Sequence, residues 1–341
     1  MQAGNECCKG VMWKSSTQMF KINQIRWAAQ LHEQLQSGTY RSKGFTNFMI
    51  IERGKVRHIQ SVHISERCVQ KSLCQNALRP IIEPALIYDN SASLPGKGTG
   101  FALKRLKRHL TEHYRKHGRS GGILVMDFKN YFGSINHEIL LKMLREKIED
   151  DQIFDLTRHF IDCFDGDVGL GLGSEVSQIS AIFYPNKIDH YIKERLHIKR
   201  YARYMDDSYI IHEDIEYLKY CKEVIEKMTE EIGLQLNPKR TKIIKLDGGH
   251  FEYLKKRIHL TETGKVVMRL TRKNITKRRR LMRKQKQMLD EGRIDFQAIR
   301  QSYQSWKGYA SQCDSFRTVQ NMDRLFGELF LQDFISGKER R

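Results

Sequence analysis

With 341 residues, 40% of them hydrophobic and 10% aromatic, the chain is long enough for one large body with subdomains or for two domains, and too apolar to be disordered. Its formal charge of +20 points to a polyanionic partner, nucleic acid first. No apolar run approaches the roughly 20 residues of a spanning helix, the start MQAGNECCKGVMWK lacks the apolar core of a secretory signal, and the seven cysteines include no C-x-x-C pair. Membrane, secreted and zinc-finger classes are thereby set aside, and scattered free thiols suit a reducing cytoplasm.

Residues 1–45 carry Trp13, Trp27 and a helical stretch around Asn23 to Leu35, with no chemistry to place on them. The run Phe48 to Ile64, FMIIERGKVRHIQSVHI, predicts a β-hairpin turning at Glu52 to Lys55. A helix opens at Ser65-Glu66-Arg67 and runs to Leu78, with Pro80 and Pro84 expected to break the pattern. The loop Asn90 to Phe101 leads into a basic helix, Ala102 to His117, ended by Gly118. Its Gly96-Lys97-Gly98 lacks the G-x-x-x-x-G-K-[ST] spacing of a P-loop, which leaves a simple turn or a permissive loop holding Lys97 near a phosphate.

Ile123 to Phe128, ILVMDF, reads as a buried strand closing on Asp127. An acid there is a frequent site for chemistry, though an edge Asp also simply faces water. His137 to Lys147 make an amphipathic helix, and the glycine-rich Asp167 to Gln178 precedes an apolar helix kinked at Pro185. In Lys199 to His212, KRYARYMDDSYIIH, two short strands flank a turn bearing Asp206 and Asp207. Adjacent carboxylates oppose each other's ionisation. A divalent cation removes that cost, and Asp oxygens are the hard ligands Mg²⁺ takes; taken alone, the stretch reads equally as a solvated turn.

Asp214 caps a helix with Leu218, Cys221, Ile225, Met228 and Ile232 on its apolar face, ended by Gly233. A loop and a strand follow to Leu246, and Phe251 to Leu260 begins a hairpin turning at Thr263-Gly264. Nine of the sixteen residues from Thr271 to Lys286 are Lys or Arg, a surface for polyanions. Tyr303, Trp306 and Tyr309 beyond it stand at near-helical spacing and read as packing core. The strand-rich part is cut between Leu260 and Leu270.

Three carboxylates from adjacent strands, Asp127, Asp206 and Asp207, are able to hold two Mg²⁺ ions about 3.5–4 Å apart, as in-line phosphoryl transfer requires. Over Phe48 to Leu260 the chain resembles the reverse transcriptase family, block after block. Lys55-Val56-Arg57 with Ser65 to Gln70 resembles the fingers block, and Tyr88 to Gly98 the next. DFKNYF, Asp127 to Phe132, resembles the first catalytic motif; LGSEVSQ, Leu172 to Gln178, the glycine–serine motif under the nucleotide; and YMDD the third. GLQLNPKRT, Gly233 to Thr241, is similar to the motif behind it, and FEYLK, Phe251 to Lys255, to the primer grip.

The resemblance implies an α/β (α+β) right-hand polymerase: an N-terminal extension (1–45), fingers and palm (46–260) with an antiparallel sheet carrying the YMDD hairpin, and a helical basic thumb (261–341). Asp127, Asp206 and Asp207 would be the catalytic metal ligands for two Mg²⁺ ions, with Mn²⁺ a possible substitute, and the Phe128 carbonyl would complete a site. Phe132 would be the steric gate against a ribose 2′-hydroxyl. Lys55, Arg57, Leu172, Gly173, Gln178 and Lys239 would line the nucleotide, with Lys239 or Lys242 protonating pyrophosphate. Phe251, Tyr253 and Leu254 would grip the primer. Lys97, Lys277, Arg278, Arg279 and Arg280 would bind nucleic acid.

Many relatives have Gln-Gly and Ser-Pro where this chain has Leu172-Gly173 and Ser177-Gln178. That variant resembles reverse transcriptases of diversity-generating retroelements and of prokaryotic, abortive-infection-like defence systems. No Cys/His set of an HNH nuclease and no further acidic cluster of an RNase H follow residue 260. The expectation is a cytoplasmic RNA-directed DNA polymerase that takes an RNA template and dNTPs and yields DNA. Its template would be a dedicated noncoding RNA in antiphage defence, with an accessory protein or a second copy as further partners and no membrane. The alternatives are an error-prone retroelement enzyme, a template-independent or protein-primed polymerase, and a non-catalytic nucleic-acid-binding module.

Overall fold

The computed structural model describes residues 1–52 and 55–330, with the backbone alone at positions 52, 55 and 57. In chain order the helices are α1 (Gln2–Cys8), α2 (Ser15–Ile22), α3 (Gln24–Gln36), α4 (Ile64–Leu73), α5 (Arg79–Ile82), α6 (Thr99–His117), α7 (His137–Arg145), α8 (Asp151–Asp162), α9 (Glu175–Phe183), α10 (Asn186–His190), α11 (Ile215–Glu231), α12 (Arg272–Asp290), α13 (Phe296–Ser311) and α14 (Phe316–Phe330). The strands are β1 (Phe45–Glu52), β2 (Lys55–Val62), β3 (Gly122–Asp127), β4 (Tyr201–Tyr204), β5 (Asp207–His212), β6 (Lys242–Lys245), β7 (Phe251–Tyr253), β8 (Lys256–Leu260) and β9 (Val266–Leu270). They form the hairpin β1-β2, a sheet ordered β4-β5-β3-β6 and a sheet ordered β7-β8-β9. Mixed helix and antiparallel sheet is the class the sequence predicts.

The chain gathers into two compact units. One contains Met1–Arg105, Met126–Ile210 and Glu216–Lys242; the other contains Leu106–Val125, Ile211–Ile215 and the chain from Ile243 on. Every residue of β3 is buried, which is why its apolar run shows no alternation. α7 and α8 start where Asn136 and Asp150 accept, through their side chains, the amides of Ile139 and Ile153, each at 2.9 Å.

In the first unit, part of residues 1–45 packs on the chain that follows. Cys7, Cys8 and Phe20 pack with Ile64 into an apolar cluster that Trp27 covers. The expected break at Pro80 does not occur. A π-turn, Cys74–Leu78, lets the Arg79 amide reach the Cys74 carbonyl and puts Pro80 in the first turn of α5, where its missing N–H costs nothing.

In the second unit, Phe251 to Leu260 begins the expected hairpin, β8 pairing with β9 across a turn that contains Thr263-Gly264, and is also a hairpin in itself. Leu254 and Lys255 make its two-residue turn with φ of 46° and 63°, as a type I′ turn requires. β9 lies past the cut at residue 260 and pairs with β8, so the strands end only at Leu270. Beyond it Met282, Ile299, Tyr303, Met322, Phe326 and Phe330 form a core, with Trp306 against it and Tyr309 in the neighbouring cluster. The three aromatics therefore pack, as their spacing predicts. Among the described residues no helix is long and apolar enough to cross a membrane.

Candidate active site

β4 and β5 pair from Tyr201–Ile210 to Tyr204–Asp207, which leaves Met205 and Asp206 as a two-residue turn. Met205 alone of the pair has positive φ, 56°, as in a type II′ turn, where glycine is the usual occupant. A side chain in that region costs on the order of 1–3 kcal/mol and persists only where its surroundings hold it. The turn thus presents two carboxylates from a strained and fixed backbone.

β3, the neighbour of β5, brings Asp127 to the same place. Its end is fastened by the segment 235–237: the Asn237 amide donates to the Asp127 carbonyl (2.7 Å) and the Lys129 amide to the Gln235 carbonyl (2.9 Å). The Asp127 side chain is buried and doubly bonded, Oδ1 accepting from Arg240 Nη1 at 2.7 Å and Oδ2 from Asn237 Nδ2 at 2.9 Å. Asp207 lies within hydrogen-bonding reach of Asp127. Burial first, and then the charges of Asp206 and Asp127, push its carboxyl up to about 7 against the opposing pull of Arg240.

The three acids therefore meet, close enough that the charges of two raise the cost of ionising the third. Among the described residues no set of three or more His, Cys, Asp or Glu stands as a finished metal cage. Asp127 instead spends both oxygens on Arg240 and Asn237. The donor set still fits a divalent cation: hard oxygens, crowded until one of them resists ionising. Arg240 supplies compensating charge here, from a side chain that is 60% exposed.

Around the acids, the glycine-rich loop lies along β2. Leu172 accepts the Gln60 amide at 3.2 Å, and Gly173, at φ 122°, sits where a β-carbon would come 2.9 Å from the Gln60 carbonyl. Ser174 caps α9 by accepting the Ser177 amide at 3.2 Å and donates to Gln70 Oε1 at 3.1 Å. Gln178 is exposed on α9. The half-buried Phe132 accepts the Leu170 amide at its carbonyl (2.7 Å), and its ring stands edge-on to Tyr131 at 5.8 Å. Tyr131 in turn stacks on Phe128 at 5.2 Å and donates its hydroxyl to the Ala181 carbonyl.

Some expected contacts fall elsewhere. The side chains of Lys55 and Arg57 lie outside the described residues. Lys239 is exposed, its amide bonded to Asn237 Oδ1 at 3.2 Å, and Lys242 is exposed on β6. Among the described side chains Arg240 reaches Asp127, because the Asn237 carbonyl takes the amides of Arg240 (3.0 Å) and Thr241 (2.8 Å) and closes the loop into a turn. Asn-Pro at 237–238 is the signal for that turn. Lys97 donates to the carbonyls of Tyr88 (2.7 Å) and Asn90 (3.1 Å), so it staples its own loop, the simple-turn reading.

In the second unit Phe251 and Tyr253 are buried, and Leu254 at the turn is the half-buried member. Lys277, Arg279 and Arg280 are exposed along α12, but Arg278 is not a surface cation. It is 5% exposed and shares the inward face with Met282 and Gln285, four and seven residues on. Its Nη1 donates to Ser302 Oγ at 3.0 Å, and its guanidinium lies over the Tyr303 ring at 5.4 Å. Changing Lys277, Arg279 and Arg280 together to Ala is expected to flatten the log–log salt dependence of nucleic-acid binding by up to about 0.9 for each phosphate no longer neutralised. Changing Arg278 to Met should shift the melting temperature and leave that slope alone. Filter binding across a salt series, beside a thermal melt, reads both.

A family model for the reverse transcriptase (RNA-dependent DNA polymerase) matches residues 42–298. Protein YkfC of Escherichia coli (strain K12) is 26% identical over 174 residues, 48% of this chain and 45% of YkfC. Among solved structures, telomerase from Candida albicans in complex with a TWJ fragment of telomeric RNA superposes with a TM-score of 0.52 at 11% identity, over 75% of this chain and 50% of that one. Apo telomerase from Candida tropicalis, truncated from the C-terminal domain, gives 0.51 at 14% identity, over 66% and 54%. The chain thus spans about half the length of each. At such identities the structural likeness speaks for the fold.

Proposed function

The chain belongs to the reverse transcriptase family, and from that premise we propose that it is an RNA-directed DNA polymerase whose active site is Asp127, Asp206 and Asp207. The observation that carries the reading is the convergence of these acids, with Asp207 held near neutrality by burial and by its two neighbours. Divalent ions bound by the three carboxylates and the Phe128 carbonyl would activate a primer 3′-hydroxyl and balance the charge of departing pyrophosphate. What the chain's own residues do is position. β3 and the Met205 turn fix the carboxylates, while Phe132 would stack under the sugar and the loop of Leu172 and Gly173 would form the floor beside β2. Lys55 and Arg57 on that strand would meet the triphosphate. Lys239 or Lys242 would serve pyrophosphate, a task for which Arg240 is the better placed cation. The exposed cations of α12 would hold the phosphates of template and product without reading sequence.

For the biological setting we favour copying of a dedicated noncoding RNA in antiphage defence over retroelement mutagenesis. Either setting rests on the Leu172 and Gln178 variant. Leu172 puts a methyl-rich side chain where an amide would offer hydrogen bonds, which favours relaxed base discrimination. Leu172→Gln is expected to narrow the error spectrum of the cDNA; sequenced products unchanged in error rate would remove this reading.

The decisive experiment measures dNTP incorporation on an RNA template with a DNA primer, using the wild-type chain and Asp206→Asn. Template-dependent incorporation lost in the variant supports the proposal. Incorporation without template would favour a template-independent or protein-primed enzyme, and none in either would favour a nucleic-acid-binding module.

A further inference from the structure

The turn that carries Asp206 and Asp207 is held from within by a cation that no solvent reaches. Arg203 is the second-last residue of β4, and its side chain is 1% exposed; its partner Asp189, on α10, is 0% exposed. Arg203 Nε lies 2.9 and 3.0 Å from the two oxygens of Asp189, and Nη2 lies 2.6 Å from Oδ2. Tyr201 donates its hydroxyl to Asp189 Oδ1 at 2.5 Å. Two donors then reach past the ion pair: Nη2 to the carbonyl of Ile182 at 2.7 Å, and Nη1 to the carbonyl of Met205 at 3.1 Å.

Those two carbonyls are the informative ones. Met205 is the strained residue of the turn, and Ile182 is in the last turn of α9, the helix that begins in the glycine–serine loop. The backbone of Arg203 is fixed as well, its amide donating to the Asp89 carbonyl at 3.2 Å and its carbonyl accepting from the Ser91 amide at 3.0 Å. One planar guanidinium therefore joins the nucleotide-floor helix, α10 and the acid-bearing turn. A buried ion pair by itself contributes little to stability, because desolvation offsets the attraction. Specific orientation of a neighbouring group is a better account of why a charge pair sits here.

We infer that Arg203, aimed by Asp189, is a positioning residue that sets the Met205 peptide and through it the placement of Asp206 and Asp207 for divalent-metal binding. The inference rests on the polymerase reading for what the metal does, and on geometry alone for which residue aims the acids. Lysine cannot replace it. An ammonium donates from a single atom, whereas the guanidinium fork serves Asp189, Ile182 and Met205 at once.

The test uses the 341-residue chain, with Mn²⁺ affinity read by electron paramagnetic resonance, melting temperature, and kcat and KM for dTTP on poly(rA)·oligo(dT) with Mg²⁺. Two variants are needed. Arg203→Lys keeps the charge pair. The triple change Tyr201→Phe, Arg203→Met and Asp189→Leu replaces the pair and the dependent hydroxyl by apolar groups of similar bulk, a swap that commonly preserves or improves folding. Both are expected to lose about 10–100-fold in Mn²⁺ affinity, with kcat falling alongside it, the usual cost of removing an outer partner of a metal ligand, and with KM for dTTP little changed. The melting temperature of the triple variant should stay near the wild-type value. Wild-type Mn²⁺ affinity in either variant overturns the inference, as does a loss of affinity that merely tracks loss of melting temperature across the pair. A wild-type chain that binds Mn²⁺ but incorporates no nucleotide sinks the polymerase reading and leaves the Mn²⁺ comparison to decide the role of Arg203. A wild-type chain that binds no Mn²⁺ sinks the inference itself.

Discussion

Asp207→Asn should abolish nucleotide incorporation and yet melt at a higher temperature than wild type in EDTA at pH 8. The loss of activity follows from the role proposed for the carboxylate. A metal-held charge contributes several kcal/mol to the transition state, and about 1.4 kcal/mol is a decade in rate, so the drop is on the order of 10³-fold or more. The gain in stability follows from the same crowding. Burial and the charges of Asp206 and Asp127 raise the folded-state value of Asp207 from 3.8 to about 7. A group raised on folding stabilises most while it is protonated in both states, below about pH 4, and that contribution is lost as pH rises through the folded value near 7. Wild-type stability in EDTA should therefore decline from pH 5 to pH 8 in step with this titration. Asn carries no charge to desolvate, so the variant should lack this component of the decline. Added Mg²⁺ should restore the wild type at pH 8 and do little for the variant. Thermal melts over this pH range, with EDTA and with Mg²⁺, check all three statements; a variant that melts below wild type at pH 8 in EDTA would contradict the account.

The same cluster marks how far sequence reasoning reaches. The hairpin Tyr201 to His212 and the strand ending at Asp127 are legible because periodicity and unbroken apolar runs are local signals. That the strands are neighbours is not local, and only the order of motifs implies it. Arg240 escapes sequence reasoning because an irregular loop gives spacing no fixed face: Lys239, Arg240 and Lys242 are equivalent on paper until the Asn237 turn selects one. The hairpin within Phe251 to Leu260 is hidden for another reason. Its turn residues are Leu254 and Lys255, with none of the Asn or Gly that advertises positive φ. Arg278 is legible in principle. It stands in register with Met282 and Gln285, yet the run of cations around it outweighs the period. Pro80 errs in the opposite direction, since a π-turn just upstream absorbs it.

Phe132→Ala should admit ribonucleotides while leaving dNTP incorporation largely intact. The ring is set before any substrate arrives: edge-on to Tyr131, whose own ring stacks on Phe128 and whose hydroxyl is tied to the Ala181 carbonyl. Such a ring cannot swing aside cheaply, because moving it disturbs a chain of packed aromatics that ends at the residue following Asp127. Its carbonyl is fixed as well by the Leu170 amide. An apolar wall that rejects an added hydroxyl by bulk alone discriminates by about 10²-fold, and that is the selectivity expected to vanish in the variant. Phe132→Tyr keeps the bulk and should keep the selectivity. A bystander aromatic would behave otherwise. Truncating a fully buried Phe costs roughly 3–5 kcal/mol, so a residue that merely packs would lower melting temperature in proportion and leave the ratio of kcat/KM for dNTP over NTP where it was. Phe132 is only half-buried, so the cost to folding should be smaller than that and the change in the ratio larger. Single-nucleotide incorporation kinetics with dNTP and NTP, set beside a thermal melt of the same preparations, separates a gate from a packing ring.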